Sequence, residues 1–402
     1  MATGSDAAKP QWAASLSAAA GVEEAVRARY EQAARAREES LCCSAADYEE
    51  GYLEAIPREI VERDYGCGDP SRYAQRGETV LDLGSGSGKI CYILGQRVGA
   101  EGRVIGVDFN DEMLSLARRY QPEISARLGY SNVEFRKGRI QDLRLDYEQL
   151  DRRLSERPVN DSGGLLELEA YTDSLRKTSP MIPDESVDLV VSNCVLNLVR
   201  DEDKQQLIRE IYRVLRVGGR MAVSDIVSDE DISPEMKQDP DLWSGCISGA
   251  FREDLFLEAL EEAKFYGITL DRYESKPFRT IDGIEFRSVT VLAWKGKEGP
   301  CLERNQSVIY KGPWKKVHDD DGHILERGRR MAVCDKTFGI YSCAPYRDQF
   351  VLVTPYQEIP LEEAKAFDCR GRAYRHPRET KGLDYRVTKS SGESCCGPEG
   401  CC

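Results

Sequence analysis

Three cysteines stand in short runs of small and polar residues. Cys67 lies in Tyr65-Gly66-Cys67-Gly68-Asp69-Pro70, Cys194 in Ser192-Asn193-Cys194-Val195, and Cys246 in Ser244-Gly245-Cys246-Ile247-Ser248-Gly249. Glycines beside a thiol, with a proline following, describe a turn and not a packed helix interior. A thiol in such a loop is accessible, and its thiolate is either a nucleophile or a ligand for something soft. Each cysteine alone reads first as a small buried hydrophobe, as Cys91 does within an apolar helix face. Three of them in loops rimming one site weaken that reading. The chain carries 14 cysteines and only 3 histidines, and no Cys-x-x-Cys…Cys-x-x-Cys pattern, so a zinc ribbon or mixed zinc site is not indicated. Cys42-Cys43, Cys395-Cys396 and Cys401-Cys402 are adjacent pairs, for which an internal disulfide is strained.

The elements that would position these thiols begin at Val80-Leu81-Asp82-Leu83-Gly84-Ser85-Gly86-Ser87-Gly88-Lys89. An apolar strand, a glycine-rich turn and an amphipathic helix follow one another there. Glycine lets the backbone pass close to a ligand, and the helix start offers N–H groups. A second strand ends in Asp108, 20 residues after Gly88, where a ribose diol would be held. A P-loop is excluded by spacing and by Ile90 in place of the required Ser or Thr. A dinucleotide site is the nearer rival. The Leu-Asp-x-Gly-x-Gly-x-Gly form resembles the first motif of S-adenosylmethionine (AdoMet) methyltransferases more than a dehydrogenase.

Strands are predicted at 80–83, 104–108, 133–137, 187–192 and 220–226, with helices at 89–97, 112–119 and 204–215 between them. This alternation is that of parallel βαβ units in a Rossmann-like α/β domain. Ahead of it, helices are expected over 22–39 and 47–64. Residues 144–180 break the pattern and read as an insertion without inferable chemistry. The expected division is a helical region with the cysteine pair (1–60), the cofactor-binding domain (61–228), an α+β region carrying Cys246 (229–300), a small β-rich C-terminal domain (301–388) and a disordered Cys-rich tail (389–402). A net charge of −14 without a basic stripe argues against a nucleic-acid partner. No apolar run approaches the roughly 18 residues of a membrane span, and no signal-peptide core precedes the first helix, so a cytoplasmic protein is expected.

In open α/β sheets the ligand sits outside the carboxyl ends of the strands. A cofactor on the glycine turn and Asp108 would point toward the end of the fourth strand, where Asn193 and Cys194 stand. Trivalent arsenic takes three thiolates in a pyramid, and its lone pair can attack a sulfonium methyl without any general base. Because thiols with an ordinary pKa near 8.5 lose protons on binding, affinity for such a ligand should rise with pH.

The segments 63–68, 81–88, 191–198 and 243–250 together resemble, in order, those of arsenite AdoMet methyltransferases, over about residues 40–300. The resemblance implies stepwise methylation of arsenite and methylarsenite, presented as thiol complexes, with AdoMet as co-substrate and thioredoxin or glutathione as reductant. It implies that Cys194 and Cys246 bind arsenic with Cys67 as third thiol, and that Cys67 pairs with an N-terminal cysteine during turnover. Cys42 fits that role best, with Cys43 nearly as good. Tyr65, Asp82, Gly84, Ser85, Gly86, Gly88, Asp108, Phe109, Ile140, Gln141 and Asn193 are implied around the cofactor. Asp64 and Gln141 depart from the family's more frequent aromatic and acid, and the C-terminal domain resembles that of longer microbial and algal members. Two alternatives remain: a methyltransferase for a small organic acceptor, and a binder that has lost turnover.

Overall fold

The computed structural model describes residues 11–38, 41, 48–370 and 373–386, with backbone only for 11–22. Cys42, Cys43 and the tail from 389 onward lie outside the described residues. The chain forms two compact units, Met1–Gly296 and Lys297–Cys402.

The first unit is built on one sheet of nine strands. Strands β1 (Thr79–Leu83), β2 (Arg103–Asp108), β3 (Val133–Lys137), β4 (Val187–Asn193) and β5 (Leu215–Ser228) run parallel in the order β3-β2-β1-β4-β5. Central strands of such a sheet are covered on both faces, so they read as continuous apolar runs. Val80, Leu81 and Leu83 on β1, and Leu189, Val190 and Val191 on β4, are fully buried accordingly. The short β6 (Phe251–Arg252) extends β5 in parallel. Three strands then add antiparallel pairing: β7 (Tyr266–Tyr273) and β8 (Arg279–Ile281) both pair with β9 (Ile284–Trp294), which pairs with β5. Residues 229–300, expected as a separate region, therefore share the sheet of the cofactor-binding half.

Helices α1 (Gln11–Arg35), α2 (Glu50–Leu53) and α3 (Arg58–Glu62) precede the sheet. The single helix expected over 47–64 is broken because Pro57, lacking an N–H, starts a new helix and ends the old one. Between strands lie α4 (Lys89–Val98), α5 (Asp111–Leu128), α6 (Tyr147–Glu156), α7 (Ser162–Thr178) and α8 (Asp201–Val214). The α5 helix runs well beyond the expected 119, continuing through Pro122. The supposed insertion is largely the helical pair α6 and α7. Each begins at an aspartate, Asp146 or Asp161, whose carboxylate accepts first-turn N–H groups. Strand β5 starts at Leu215, ahead of Gly218-Gly219, where its pairing with β4 is irregular. Short helices α9 (Pro234–Lys237) and α10 (Pro240–Ser244) lead to Cys246, and α11 (Glu253–Glu262) follows β6 and packs against β6, β7 and α8.

The second unit is β-rich, as expected. It contains β10 (Leu302–Glu303), β11 (Ser307–Tyr310), β12 (Lys316–His318), β13 (Ile324–Glu326), β14 (Arg330–Ala332), β15 (Phe350–Val353) and β16 (Lys365–Ala366). Helices α12 (Asp335–Tyr341) and α13 (Pro377–Lys381) complete it. Its core gathers Val308, Tyr310, Leu325, Met331, Tyr341 and Phe350.

Candidate active site

A cavity of about 570 Å³ opens at the carboxyl ends of β1 and β4, where the strand order reverses. That is the position expected for a ligand in an open α/β sheet. The turn from β1 to α4 forms its floor. Gly84, Gly86 and Gly88 adopt φ of +70°, +51° and +88°, a region that side chains disfavour. A Cβ on Gly84 would also overlap the Val195 side chain, so this close approach requires glycine. Asp108, at the end of β2, accepts hydrogen bonds from Gly86 N (2.8 Å) and Asn110 N (2.8 Å). Burial raises its pKa, while these amides oppose the shift. Asp82 accepts from the Cys91 thiol at 3.1 Å, and burial pushes its carboxyl up to about 7.

Tyr65, Asp82, Gly84, Ser85, Gly86, Asp108, Phe109, Ile140, Gln141 and Asn193 all line this cavity, and Gly88 begins the helix behind it. Ser85 Oγ is buried on the wall without a hydrogen-bond partner. A glycine cradle, an unsatisfied hydroxyl and an acid at the end of β2 fit the amino-acid and ribose parts of AdoMet. Helix α1 closes the opposite side with Glu23, Val26, Arg27 and Tyr30. Arg29 fastens this helix to α10 through the Asp241 carbonyl (2.9 Å) and Ser244 Oγ (2.7 Å). Sequence patterning gave α1 no role at the site; its placement depends on packing contacts distant in sequence.

The three loop thiols converge beside the cavity. Cys67, Cys194 and Cys246 are all buried and belong to one apolar cluster with Ile226, Ile247 and Phe286. Cys194 itself lines the cavity. The pairing expected of Cys67 with Cys42 or Cys43 during turnover falls on residues outside those described. Cys67 and Cys194 are joined as a disulfide across the site. Proximity explains this: both loops are pinned to the carboxyl edge of the sheet. The Cys246 thiol donates to the Cys194 carbonyl at 3.2 Å, and the Tyr30 hydroxyl lies 4.0 Å from its sulfur. Cys194 and Cys246 have φ of +58° and +61°, unusual for residues with a Cβ and concentrated at functional sites.

Asn193, which the sequence reading placed at the cofactor, and side chains that it left aside hold these loops. Asn193 Oδ1 accepts from Cys67 N (2.9 Å) and Gly68 N (3.1 Å), and its Nδ2 donates to the Gly68 carbonyl (2.9 Å) and Tyr48 (3.2 Å). Although it borders the cavity, as expected, its polar atoms are thus engaged with the Cys67 loop. Ser288 donates to the Cys67 carbonyl at 2.8 Å. Asn197 donates to the carbonyls of Ile226 (2.7 Å) and Cys246 (3.2 Å), and Lys204 to that of Gly249 (2.6 Å). Asp225, at the end of β5, brings a carboxylate oxygen within 4.8 Å of the Cys67 and Cys194 sulfurs. Burial pushes this carboxyl up to about 6, against hydrogen bonds from the N–H groups of Ile226, Leu196 and Val195. Its place at a strand's carboxyl end was the signal by which it could have been found.

Comparison with known proteins agrees with this geometry. A methyltransferase domain matches residues 74–268, and a domain of unknown function matches 297–385. An arsenite methyltransferase from Aquipseudomonas alcaligenes is 32% identical over 333 residues, covering 78% of this chain and 85% of that protein. The arsenite methyltransferase of Homo sapiens is 27% identical over 369 residues, covering 87% and 88%. Among solved structures, an arsenic(III) AdoMet methyltransferase from Chlamydomonas reinhardtii superposes with a TM-score of 0.53 at 25% identity, covering 81% of this chain and 98% of that one. With a glycine-cradled cavity, three converging thiols and relatives of this kind along most of its length, the chain belongs to the arsenite methyltransferase family.

Proposed function

We propose that this enzyme methylates trivalent arsenic, taking arsenite and methylarsenite as substrates. The observation that carries the reading is the burial of Cys67, Cys194 and Cys246 in one cluster, with Cys194 on the wall of the cofactor cavity. Gly84–Gly88, Ser85 and Asp108 would hold AdoMet, which supplies an electrophilic sulfonium methyl. Cys194, Cys246 and the released Cys67 bind arsenic as thiolates. Bound through three thiolates, arsenic would keep its lone pair on the side away from the sulfurs, free to attack the sulfonium methyl. The nucleophile carries no proton, so the protein's contribution is ligation and aim, an orientation effect worth up to about 7–11 kcal/mol in favourable cases.

The Cys67–Cys194 disulfide must open before arsenic can bind, by exchange with an external dithiol or thiol. Thioredoxin or glutathione fits this step, with Cys42 or Cys43 relaying thiol equivalents, and a reducing compartment such as the cytoplasm would sustain it. Each transfer turns the arsenic lone pair into an As–CH3 bond, releases S-adenosylhomocysteine and raises arsenic from +III to +V. A thiol pair then returns two electrons to arsenic and closes as a disulfide that the external thiol reopens, so that mono-, di- and trimethylated arsenicals form in turn. A small organic acceptor would need no convergent thiols, and family membership disfavours it. Incubation with arsenite, AdoMet and a thiol, followed by chromatographic arsenic speciation, tests the proposal. Methylated arsenic should form and should vanish in Cys194→Ser; its persistence in that variant would overturn the role assigned to the thiol site.

A further inference from the structure

A second group of three sulfurs lies in the C-terminal unit. Cys301, Cys334 and Cys369 are separated by more than thirty residues each in sequence, yet their Sγ atoms all lie within 4.8 Å of one another. Three features of the fold bring them together. Cys301 immediately precedes β10 and Cys369 follows β16; these strands pair antiparallel, and Phe367 N donates to the Cys301 carbonyl at 2.9 Å. Cys334 stands at the start of α12, fully buried, with its sulfur accepting from Thr337 N at 3.4 Å and meeting Thr337 Oγ1 at 3.2 Å. The other two are only partly buried, which leaves the group accessible from one side.

We infer that Cys301, Cys334 and Cys369 form a second trithiol site that binds trivalent arsenic, separate from the thiols at the methylation site. Structural cysteines have no reason to point three sulfurs at one point, and these three are not joined in a disulfide. Sulfurs around a shared ion bonded at about 2.3 Å would be about 3.8 Å apart, which falls within the 4.8 Å that already bounds these three. Among the described residues no histidine, carboxylate or fourth cysteine joins the group within that range, whereas structural zinc asks for four ligands. A three-sulfur set matches a three-coordinate, lone-pair-bearing centre. The choice of arsenic among such thiophiles rests on the function proposed above. Binding balances without redox change: three S–H groups exchange with the three As–OH groups of arsenite, forming three As–S bonds and releasing three waters.

The test uses the full-length reduced chain without AdoMet, so it succeeds or fails independently of methylation. Arsenite should slow iodoacetamide labelling of Cys301 and Cys369 at least tenfold, read by peptide mass spectrometry, while exposed Cys343 labels at its original rate. Equal labelling of Cys301 and Cys369 with and without arsenite would overturn the inference. Removing two ligands in Cys301→Ser/Cys369→Ser should lower bound arsenic by one equivalent per chain, and Cys343→Ser should not. An unchanged arsenic count, or stoichiometric zinc that arsenite fails to displace, would equally overturn it.

Discussion

Asn193→Ala separates two roles that one residue at the cavity edge could have. In the structure its carboxamide is the acceptor for the N–H groups of Cys67 and Gly68, both buried residues. The Gly68 carbonyl keeps a second partner, since the Tyr48 hydroxyl also donates to it at 2.9 Å. Truncation therefore strands two buried donors, at about 1–3 kcal/mol each, or roughly 2–6 kcal/mol together. Water entering from the adjacent cavity would bring the loss toward the lower end. At about 2 kcal/mol, a unit of this size should lose roughly 3 °C in Tm. The assay is thermal unfolding of the reduced chain without AdoMet, paired with AdoMet binding by calorimetry. Ser288→Ala, which removes one hydrogen bond to the Cys67 carbonyl, should cost only about 1 kcal/mol. An Asn193→Ala protein with unchanged Tm but much weaker AdoMet affinity would refute the reasoning, because the residue would then serve the cofactor and not the thiol loop.

Arsenite uptake at the methylation site should require prior reduction. Protein kept oxidised should leave Cys67 and Cys194 unmodified by arsenite, and dithiothreitol should restore uptake, as followed by mass spectrometry. Asp82 has a folded pKa near 7, above its unfolded value, so the folded state holds the extra proton between about pH 4 and 7. Its contribution thus falls as pH rises through that window, and Asp82→Asn should flatten this part of the stability curve measured with urea. A Cβ on Gly249 would overlap the Asn197 carbonyl oxygen, which is backbone and cannot step aside. Gly249→Ala should therefore lose about 1–3 kcal/mol in urea unfolding and displace Cys246 enough to depress methylation.

The strands of the cofactor half were legible because each is a short apolar run bounded by glycine or a carboxylate. The glycine turn was legible because its backbone demands are local: φ values near +70° at alternate positions can hardly be met by another residue. Residues 47–64 were misread as one helix although Pro57 was visible, since periodicity on both sides masked the break. Residues 229–300 looked separate because antiparallel pairing of β9 with β5 joins segments some seventy residues apart, and register of that kind leaves no local signature.

The sequence by itself determined which residue types were present for the chemistry: thiols in small-residue loops, an alternate-glycine turn, an acid after the second strand. Such features follow from the conformational limits of single residues and short spans. Only the tertiary structure decided which thiols meet. Cys67 and Cys194 join across 127 residues, and Cys301, Cys334 and Cys369 gather in the other unit, where nothing in their spacing marked them as a set. Loop placement is fixed by distant partners, Asn193 and Ser288 for one thiol and Asn197 and Lys204 for another. The closing of those long loops depends on the burial of the whole core, and no local stretch of chain encodes it.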